Sequence, residues 1–388
     1  MTSTEGRSPT RPRVVILRGY SANPWDLRPW ELLRDRFDIS CVVTGSNEFD
    51  AGALALPVHH ARARRDRLPA GRLGRAAAYA IGDRYDDLEA PLGGADIVHA
   101  ADLHTWFSAQ AAGLRERLGF RLVLTIWETI PFLDAYRWPR ERRYRRRVLD
   151  GFDLLLPATE RARRTLLLEG VDPARMRVCY PGIDTARFRA PEPLPAAAPG
   201  APHRILTPGR LVWEKGHQDV LRAVAALRRG LLGTAPPVEL LIVGSGPEER
   251  RLRRHAAELG IGSHVEFRAT VPYDEMPALY HSASGMVLAS LPRRGWEEQF
   301  GMVLAEAMAS DTSIVAARSG AISEVVGSEA MLFEPGDWYG LAQALLDGPL
   351  SRPPAARAPY DPGRVSLFSV REAARGLADA YDSLLASP

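Results

Sequence analysis

Arg293-Arg-Gly-Trp-Glu-Glu-Gln-Phe-Gly-Met-Val-Leu-Ala-Glu-Ala-Met-Ala309 is the stretch on which the reading of this chain turns. A turn around Gly295 leads into a helix predicted to open near Phe300 and Gly301, with Glu298 just ahead of its first turn and Glu306 about two turns further in. Both carboxylates then lie near one end of one helix. The amides at a helix N-terminus are unpaired and carry a partial positive charge, so an anion such as a diphosphate can rest there. A carboxylate close by is suited to sugar hydroxyls. The alternative reading is an ordinary amphipathic helix whose Met302, Val303, Ala305 and Met308 face a core while its acids face water.

Glu298-x7-Glu306 within Glu-Gln-Phe-Gly-Met-Val-Leu-Ala-Glu-Ala-Met-Ala resembles the donor-site signature of retaining GT-B glycosyltransferases, in particular the large family 4. In that family the second Glu takes the ribose hydroxyls of the nucleotide and the first lies against the donor sugar. The resemblance implies these roles for Glu306 and Glu298, with Phe300 and Gly301 at the donor-binding helix start. One departure is Asp311, where the family usually carries Gly, and it bears on the local turn.

Upstream, Pro208-Gly-Arg-Leu-Val-Trp-Glu-Lys-Gly-His217 follows a predicted strand at Ile205 and Leu206 and precedes a predicted helix from about Gln218 to Arg229. This resembles the family's diphosphate site, which implies that Arg210 and Lys215 grip the two phosphates. In Ala95-Asp-Ile-Val-His-Ala-Ala-Asp-Leu-His-Thr105, Ile97 and Val98 read as the end of a buried strand. His99 and His104 are therefore expected in the loop beyond it, where open parallel sheets bind ligands. The segment is similar to the His-Ala-His-Asp-Trp-His run of bacterial glycogen synthases, which gives His104 the place of the donor-side histidine and His99 that of the first, a candidate on the acceptor side. Ala101 stands where the middle histidine would be. Glu128 occupies a position that is His in many relatives. It either contacts the acceptor or caps the turn that follows. Gly19, after the predicted strand Val14 to Leu17, matches a loop that approaches the donor phosphates, although the family often has two adjacent glycines there.

A length of 388 residues exceeds what one core usually supports, so two domains are expected. Further strands are predicted at Ile39–Val43, Leu122–Ile126, Asp153–Pro157, Glu239–Gly244, Val265–Arg268, Gly285–Ala289 and Ile314–Ala317, alternating with helices. Ala190 to Pro202 is too rich in Pro for helix or sheet and marks the boundary. The expected organisation is residues 1–190, an acceptor-side Rossmann-like domain; 191–202, a linker; 203–350, the nucleotide-sugar domain; and 364–388, a helix crossing back to the first domain. Strand and helix alternate in both halves, so the fold class is α/β. The resemblance makes it GT-B: two facing doubly wound domains.

No apolar run approaches the roughly 18 residues that a membrane span needs. The first 12 residues read as a polar tail, and Cys41 and Cys179 give neither metal spacing nor a disulfide framework, so a cytoplasmic protein is expected. Two stretches are strongly basic, His59–Arg75 and Arg137–Arg147. The second reads either as a solvated helix face or as contact with an anionic acceptor or acidic lipid headgroups, which would leave the protein peripheral to a membrane. Over residues 1–190, 31 Arg and no Lys stand against 24 Asp plus Glu, too modest an excess for dedicated nucleic-acid binding. The resemblance implies transfer of a sugar from a nucleotide diphosphate donor to a small-molecule, glycan or lipid acceptor through a hydroxyl or amine. No Asp-x-Asp metal motif is present, so neither metal nor cofactor is expected. A nucleotide-sugar epimerase and an inactive sugar-nucleotide-binding protein are the alternatives.

Of 50 basic residues, 49 are Arg and Lys215 is the one Lys. A composition that disfavours Lys yet keeps it at the phosphate position points to a need for a compact ammonium on a thin stem. A second planar guanidinium beside Arg210 would crowd a diphosphate. Lys215→Arg is expected to lower turnover by about 100-fold in steady-state kinetics. A change within about threefold, under 1 kcal/mol, would leave charge as the only requirement.

Overall fold

The computed structural model describes residues 11–386 apart from 21, 51, 53, 70, 134–137, 190–199 and 329. Twelve strands alternate with helices: β1 Arg13–Leu17, β2 Asp38–Thr44, β3 Val58–Ala61, β4 Ile97–Ala101, β5 Arg121–Ile126, β6 Leu154–Pro157, β7 His203–Pro208, β8 Val238–Val243, β9 Val265–Arg268, β10 Gly285–Leu288, β11 Ile314–Ala317 and β12 Met331–Phe333. They form two six-stranded sheets, ordered β3-β2-β1-β4-β5-β6 and β12-β11-β10-β7-β8-β9. Every pairing is parallel. Each sheet reverses direction once, between β1 and β4 and between β7 and β10. Such a reversal opens a crevice at the carboxyl ends of the central strands, and ligands of open α/β sheets bind there.

The chain divides into two compact units, one running to Gly182 and including the final helix Val370–Leu385, the other Ile183–Ser369. Within the first, β1 shows why both faces are covered. Val15 and Leu17 join one apolar cluster with Val98, Leu122 and Val148, while Val14 and Ile16 join a second with Leu27, Trp30, Leu377 and Tyr381. A period of two with apolar residues on both sides demands helices on both faces. The final helix supplies part of the second face. In the other unit Ile205, Ile242, Val287 and Val315 pack against the helix His217–Arg228 and against Leu341 and Leu345. The second unit opens at Ile183, ahead of the expected boundary at 190, because the short helix Thr185–Phe188 groups with it. The expected linker lies, except for 200–202, outside the described residues.

The predicted buried strands all appear within a few residues of their expected ends. Two strands carried no sequence signal, β3 and β12. They are outer strands, as are β6 and β9, but Val58-His-His-Ala61 carries two exposed histidines in place of an apolar run and Met331-Leu-Phe333 is only three residues long. One placement is corrected: β4 extends to Ala101, so His99 is a strand residue with no exposed surface and not part of the loop beyond it. Tyr381 Oη lies 2.5 Å from His99 Nδ1, and Thr125 Oγ1 lies 2.8 Å from Nε2. Trp30 Nε1 donates to Tyr381 Oη at 2.8 Å, so the tyrosine proton goes to His99 and the imidazole Nε2–H goes to Thr125. Burial holds this imidazole well below its ordinary pKa, hence neutral, and nearby Arg18 adds to the effect. Asp311 takes φ 50°, the left-handed conformation that a glycine would adopt and that Asp tolerates, so the turn survives the departure noted above.

Gly216 is the tightest turn of the second unit. It sits at φ 69° just before the helix His217–Arg228, and a Cβ there would fall 1.8 Å from the carbonyl oxygen of Ala289. Gly260 has nearly the same φ, 70°, with nothing within 4 Å of an added Cβ. Gly260→Ala is expected to lower unfolding free energy by about 1 kcal/mol, the strain of the left-handed region alone. Gly216→Ala adds a backbone clash and is expected to exceed that by about 2 kcal/mol in urea titration. Equal losses would remove the close approach as the reason for the glycine.

Candidate functional site

In the second unit the loops after β7 and β10 meet at the sheet's reversal. Lys215 ends a short 3-10 turn, Trp213–Lys215, and its Nζ donates to Glu298 Oε2 at 2.6 Å. Ser290, just past β10, donates to the same oxygen at 2.6 Å. Both charged side chains are largely buried, 15% and 8% exposed, so the ion pair is little screened. Trp296 flanks it, with Nζ 5.2 Å from the ring centroid, within the range of a cation–π contact. Further ties join the two loops: Leu291 N–H donates to Glu214 O at 2.8 Å, and Arg293 Nη2 donates to Glu214 Oε1 at 3.1 Å. Behind Glu298 stands Gly320, φ 56°, where a Cβ would come 1.9 Å from the Glu298 carbonyl oxygen, and Ala321 N–H donates to that carbonyl at 2.9 Å.

Arg210 is exposed on the same loop as Lys215. Its carbonyl is held by a buried histidine: His217 Nε2 lies 3.2 Å from Arg210 O and Nδ1 lies 3.2 Å from Thr207 Oγ1. Burial pushes the His217 pKa down to about 4, so its ring is neutral, with Nε2–H donating and Nδ1 accepting.

The helix begins at Met302, with Gly301 at φ 80° as its cap. Phe300 is buried edge-on against Phe368, centroids 5.3 Å apart, so its side chain belongs to the core and only its backbone faces the helix start. Glu306 is 5% exposed and accepts two tyrosine hydroxyls, Tyr273 Oη on Oε1 at 3.1 Å and Tyr280 Oη on Oε2 at 2.6 Å. The amphipathic-helix alternative, with its acids in water, does not describe this helix, since both carboxylates are buried. The structure pairs an ammonium with one oriented carboxylate ahead of a helix start and orients a second carboxylate on that helix, groups suited to anionic and polyhydroxylated matter.

In the first unit, β4 turns into the helix Trp106–Ala112 through Asp102, held at φ 56°. Asp102 Oδ1 accepts from Trp127 N–H at 2.9 Å, and Thr105 caps the helix, so the turn bearing His104 is braced at both ends. His104 is half-buried and lines a small cavity with Glu128, Arg145, Thr165 and Glu169. Glu128 Oε1 accepts from the amides of Thr129 and Ile130 at 3.0 and 2.9 Å, which is the turn-capping role. Arg145 is paired with Glu169. Gly19 is packed under an aromatic ring, its would-be Cβ 3.1 Å from two atoms of Phe107. His99, expected on the acceptor side, is sealed in the core as described. On the basic helix Pro139–Gly151, Arg142, Arg143, Arg146 and Arg147 are exposed, whereas Arg137 falls outside the described residues.

Sequence reading did not single out Ser290, Trp296, Tyr273, Tyr280 or the role of His217. Trp296 and His217 lie inside the quoted motifs. The tyrosines lie about 26 to 33 residues from Glu306 in sequence and only tertiary structure brings them to it.

Residues 195–351 match the family described as Glycosyl transferases group 1, and residues 30–187 match Glycosyltransferase Family 4. The chain is 34% identical over 189 residues to D-inositol 3-phosphate glycosyltransferase of Corynebacterium jeikeium, a match covering 45% of this chain and 42% of that protein. Over 120 residues it is 38% identical to the GDP-mannose-dependent alpha-(1-6)-phosphatidylinositol monomannoside mannosyltransferase of Mycolicibacterium smegmatis, covering 30% of each. The chain thus spans less than half the length of the curated relatives it matches. Among solved structures, Anabaena HepE in complex with UDP superimposes with TM-score 0.71 at 17% identity, covering 96% of this chain and 100% of that one. Sucrose-phosphate synthase from Thermosynechococcus elongatus gives 0.72 at 20%, covering 97% and 100%. Both establish the fold.

The Lys215–Glu298 pair is open to a double-mutant cycle. Removing one partner strands the other charge in a site nearly closed to water, so Lys215→Met and Glu298→Gln are each expected to lower unfolding free energy by about 3 kcal/mol. The double variant should lose less than the sum, with a coupling of about 1–3 kcal/mol by urea titration. Additive losses would show that the pair is not coupled.

Proposed function

The chain belongs to the group 1 glycosyltransferases, and we propose that it moves a sugar from a nucleotide diphosphate sugar to an acceptor hydroxyl or amine with retention of anomeric configuration. The observation that carries this reading is the Lys215–Glu298 pair, set where the loops after β7 and β10 meet and just ahead of the helix that bears Glu306. In this reading Glu306 receives the ribose hydroxyls and Glu298 the sugar hydroxyls. Lys215 and Arg210 meet the diphosphate together with the amides that open the helix Met302–Ala309. As the bond to the sugar breaks, negative charge grows on the departing diphosphate. Fixed cations and amides already aimed at that charge stabilise it without reorganising, and in such catalysis this often lowers the barrier more than any other single effect. Two cations on one loop supply what a divalent metal would otherwise supply, so we assign the site no metal.

His104 serves on the first unit, presented by the braced turn after β4. Supporting an acceptor rich in hydroxyls are the names of the two relatives, which place D-inositol 3-phosphate and a phosphatidylinositol monomannoside among the substrates of those proteins. For this chain the class is a small-molecule, glycan or lipid acceptor. Among the described residues no helix is long and apolar enough to cross a membrane. Four exposed arginines on the helix Pro139–Gly151 are complementary to acidic headgroups, which supports peripheral contact with lipid. Both cysteines are free, which fits a cytoplasmic enzyme.

The test is a panel of nucleotide sugars and hydroxylated acceptors, read as free nucleoside diphosphate and as the product anomer by NMR. Release that requires acceptor, gives the retained anomer and survives EDTA is expected. Glu306→Gln should weaken donor binding about 10- to 150-fold, the worth of a hydrogen bond to a charged group. Glu298→Gln should mainly slow turnover, because contacts to the sugar strengthen as charge develops on it. Sugar-nucleotide interconversion without acceptor, or binding without any product, would replace transfer with the epimerase or the inactive alternative.

A further inference from the structure

Glu306 sits on the helix Met302–Ala309, and its carboxylate is approached from outside that helix by two hydroxyls. Tyr280, fully buried on the helix Met276–Ser282, donates to Oε2 at 2.6 Å; Tyr273, on the 3-10 turn Tyr273–Glu275, donates to Oε1 at 3.1 Å. One ring braces both. Phe188 meets Tyr273 edge-on at 5.5 Å and Tyr280 at 5.8 Å, and is itself without exposed surface. Arg187, the preceding residue, pairs with Asp274, which follows Tyr273. Burial and the neighbouring Glu306 push both tyrosines far above the ordinary phenol range, so both keep their protons and both act as donors.

These two hydroxyls act on the plane of the carboxylate. The last torsion of a glutamate side chain is broad, with two weak wells, so a carboxylate on a helix turns readily. One donor on each oxygen removes that freedom. An ionised carboxylate offers about four acceptor positions, so two tyrosine hydroxyls do not saturate it. A ribose presents O2′ and O3′ as neighbouring donors, and a carboxylate of fixed plane can take them together, one per oxygen.

We infer that Tyr273 and Tyr280 are positioning residues that lock the plane of Glu306 for an intact ribose diol, so that the donor is a ribonucleoside diphosphate sugar and a 2′-deoxyribonucleotide is rejected. This rests on the donor-site reading above. It adds the sugar of the nucleotide as a selected feature and names the residues that set the selection. A 2′-deoxyribose forfeits one of the two hydrogen bonds to a charged group, and a carboxylate of fixed plane cannot turn to recover it. A freely turning carboxylate would adjust to the single remaining hydroxyl and discriminate less.

The experiment is titration calorimetry of the full chain with UDP, GDP and ADP and with their 2′-deoxy counterparts, for the parent and for Tyr273→Phe and Glu306→Gln. Tyr273 is the primary site because it is only partly buried, and its substitution by Phe keeps the ring against Phe188. Thermal unfolding of each variant confirms that it is folded. The parent is expected to bind its preferred ribonucleotide at least about 10-fold more tightly than the 2′-deoxy form, the loss of one hydrogen bond to a charged group. In Tyr273→Phe the ribonucleotide should weaken about 10-fold while the 2′-deoxy form weakens by less, so that the ratio falls toward about threefold. A role for Tyr273 in stability alone would shift both ligands equally and keep the ratio, and that result overturns the inference while leaving the donor site standing. A parent that binds none of the nucleotides overturns the donor-site reading itself, and the inference with it. A parent that binds ribo and 2′-deoxy forms alike, with Glu306→Gln weakening both, shows a donor site without the selection and also overturns the inference.

Discussion

The second unit depends on one short-range constraint, the fastening of the loop after β7 to the loop after β10. A parallel sheet whose order reverses leaves these two loops diverging from adjacent strands, and nothing in the sheet's own hydrogen bonding holds them together. The chain closes the gap with backbone: Gly216 lies against the Ala289 carbonyl and Leu291 N–H reaches Glu214 O, while Gly320, from the loop after β11, backs the Glu298 carbonyl. Across the junction so closed, Lys215 and Glu298 stand 2.6 Å apart. The ion pair is therefore a product of the fold's topology, and the glycines, which carry no chemistry, determine whether the chemistry assembles. A buried pair of this kind offers little net stability over an apolar pair, but stranding either member is costly, so the fold gains strictness of arrangement more than strength.

How far sequence reading reached follows from the same physics. Ten of the twelve strands were legible, most of them because a buried parallel strand is a continuous apolar run. β3 and β12 were not: Val58-His-His-Ala61 carries two exposed histidines in place of an apolar run, and Met331-Leu-Phe333 is only three residues long. Sequence placed the helix start at Gly301 and put Arg210, Lys215, Glu298 and Glu306 within two local motifs, because short spacing fixes their relation. His99 was misplaced since a histidine reads as a strand end, whereas a hydrogen bond on each ring nitrogen lets a neutral imidazole stay inside the core. Tyr273 and Tyr280 were invisible as partners of Glu306. Their contact is made by a 3-10 turn and a helix that reach Glu306 only in the folded chain, and it leaves no periodic trace. Asp311 shows the converse. A departure from the expected glycine changed nothing in the turn, because Asp can adopt the left-handed conformation itself.

The arginine-rich character of the chain divides by location. Arg65 pairs with Glu48, Arg67 with Asp86, Arg115 with Asp153 and Arg145 with Glu169, so much of the charge in the first unit is internal compensation. The helix Pro139–Gly151 separates the two uses on one element. Its inward Arg145 meets an acid and Val148 meets the core, while residues 142, 143, 146 and 147 recur at the spacing of an outer helical face. A count of arginines cannot distinguish these fates. Burial and partner can.

The Lys215–Glu298 pair also compensates two charges in place. An ammonium and a carboxylate held apart in a nearly closed site would each bear an uncompensated desolvation penalty, and each would draw in water or a stray ion. Bonded to one another, with Ser290 on the same carboxylate oxygen, they compensate in place. On the proposed reading, a nucleotide sugar brings both replacements at once, phosphate oxygens for the ammonium and sugar hydroxyls for the carboxylate. A fragment brings only one. A nucleoside diphosphate without its sugar would take Lys215 and leave Glu298 with its serine alone, and a free sugar would meet a carboxylate already satisfied. On that reading the pair makes recognition of the donor's two halves mutually dependent, and a lone lysine suits the proposed exchange, since a flexible stem can carry its charge from carboxylate to phosphate without the fixed donor fork of an arginine having to be rebuilt.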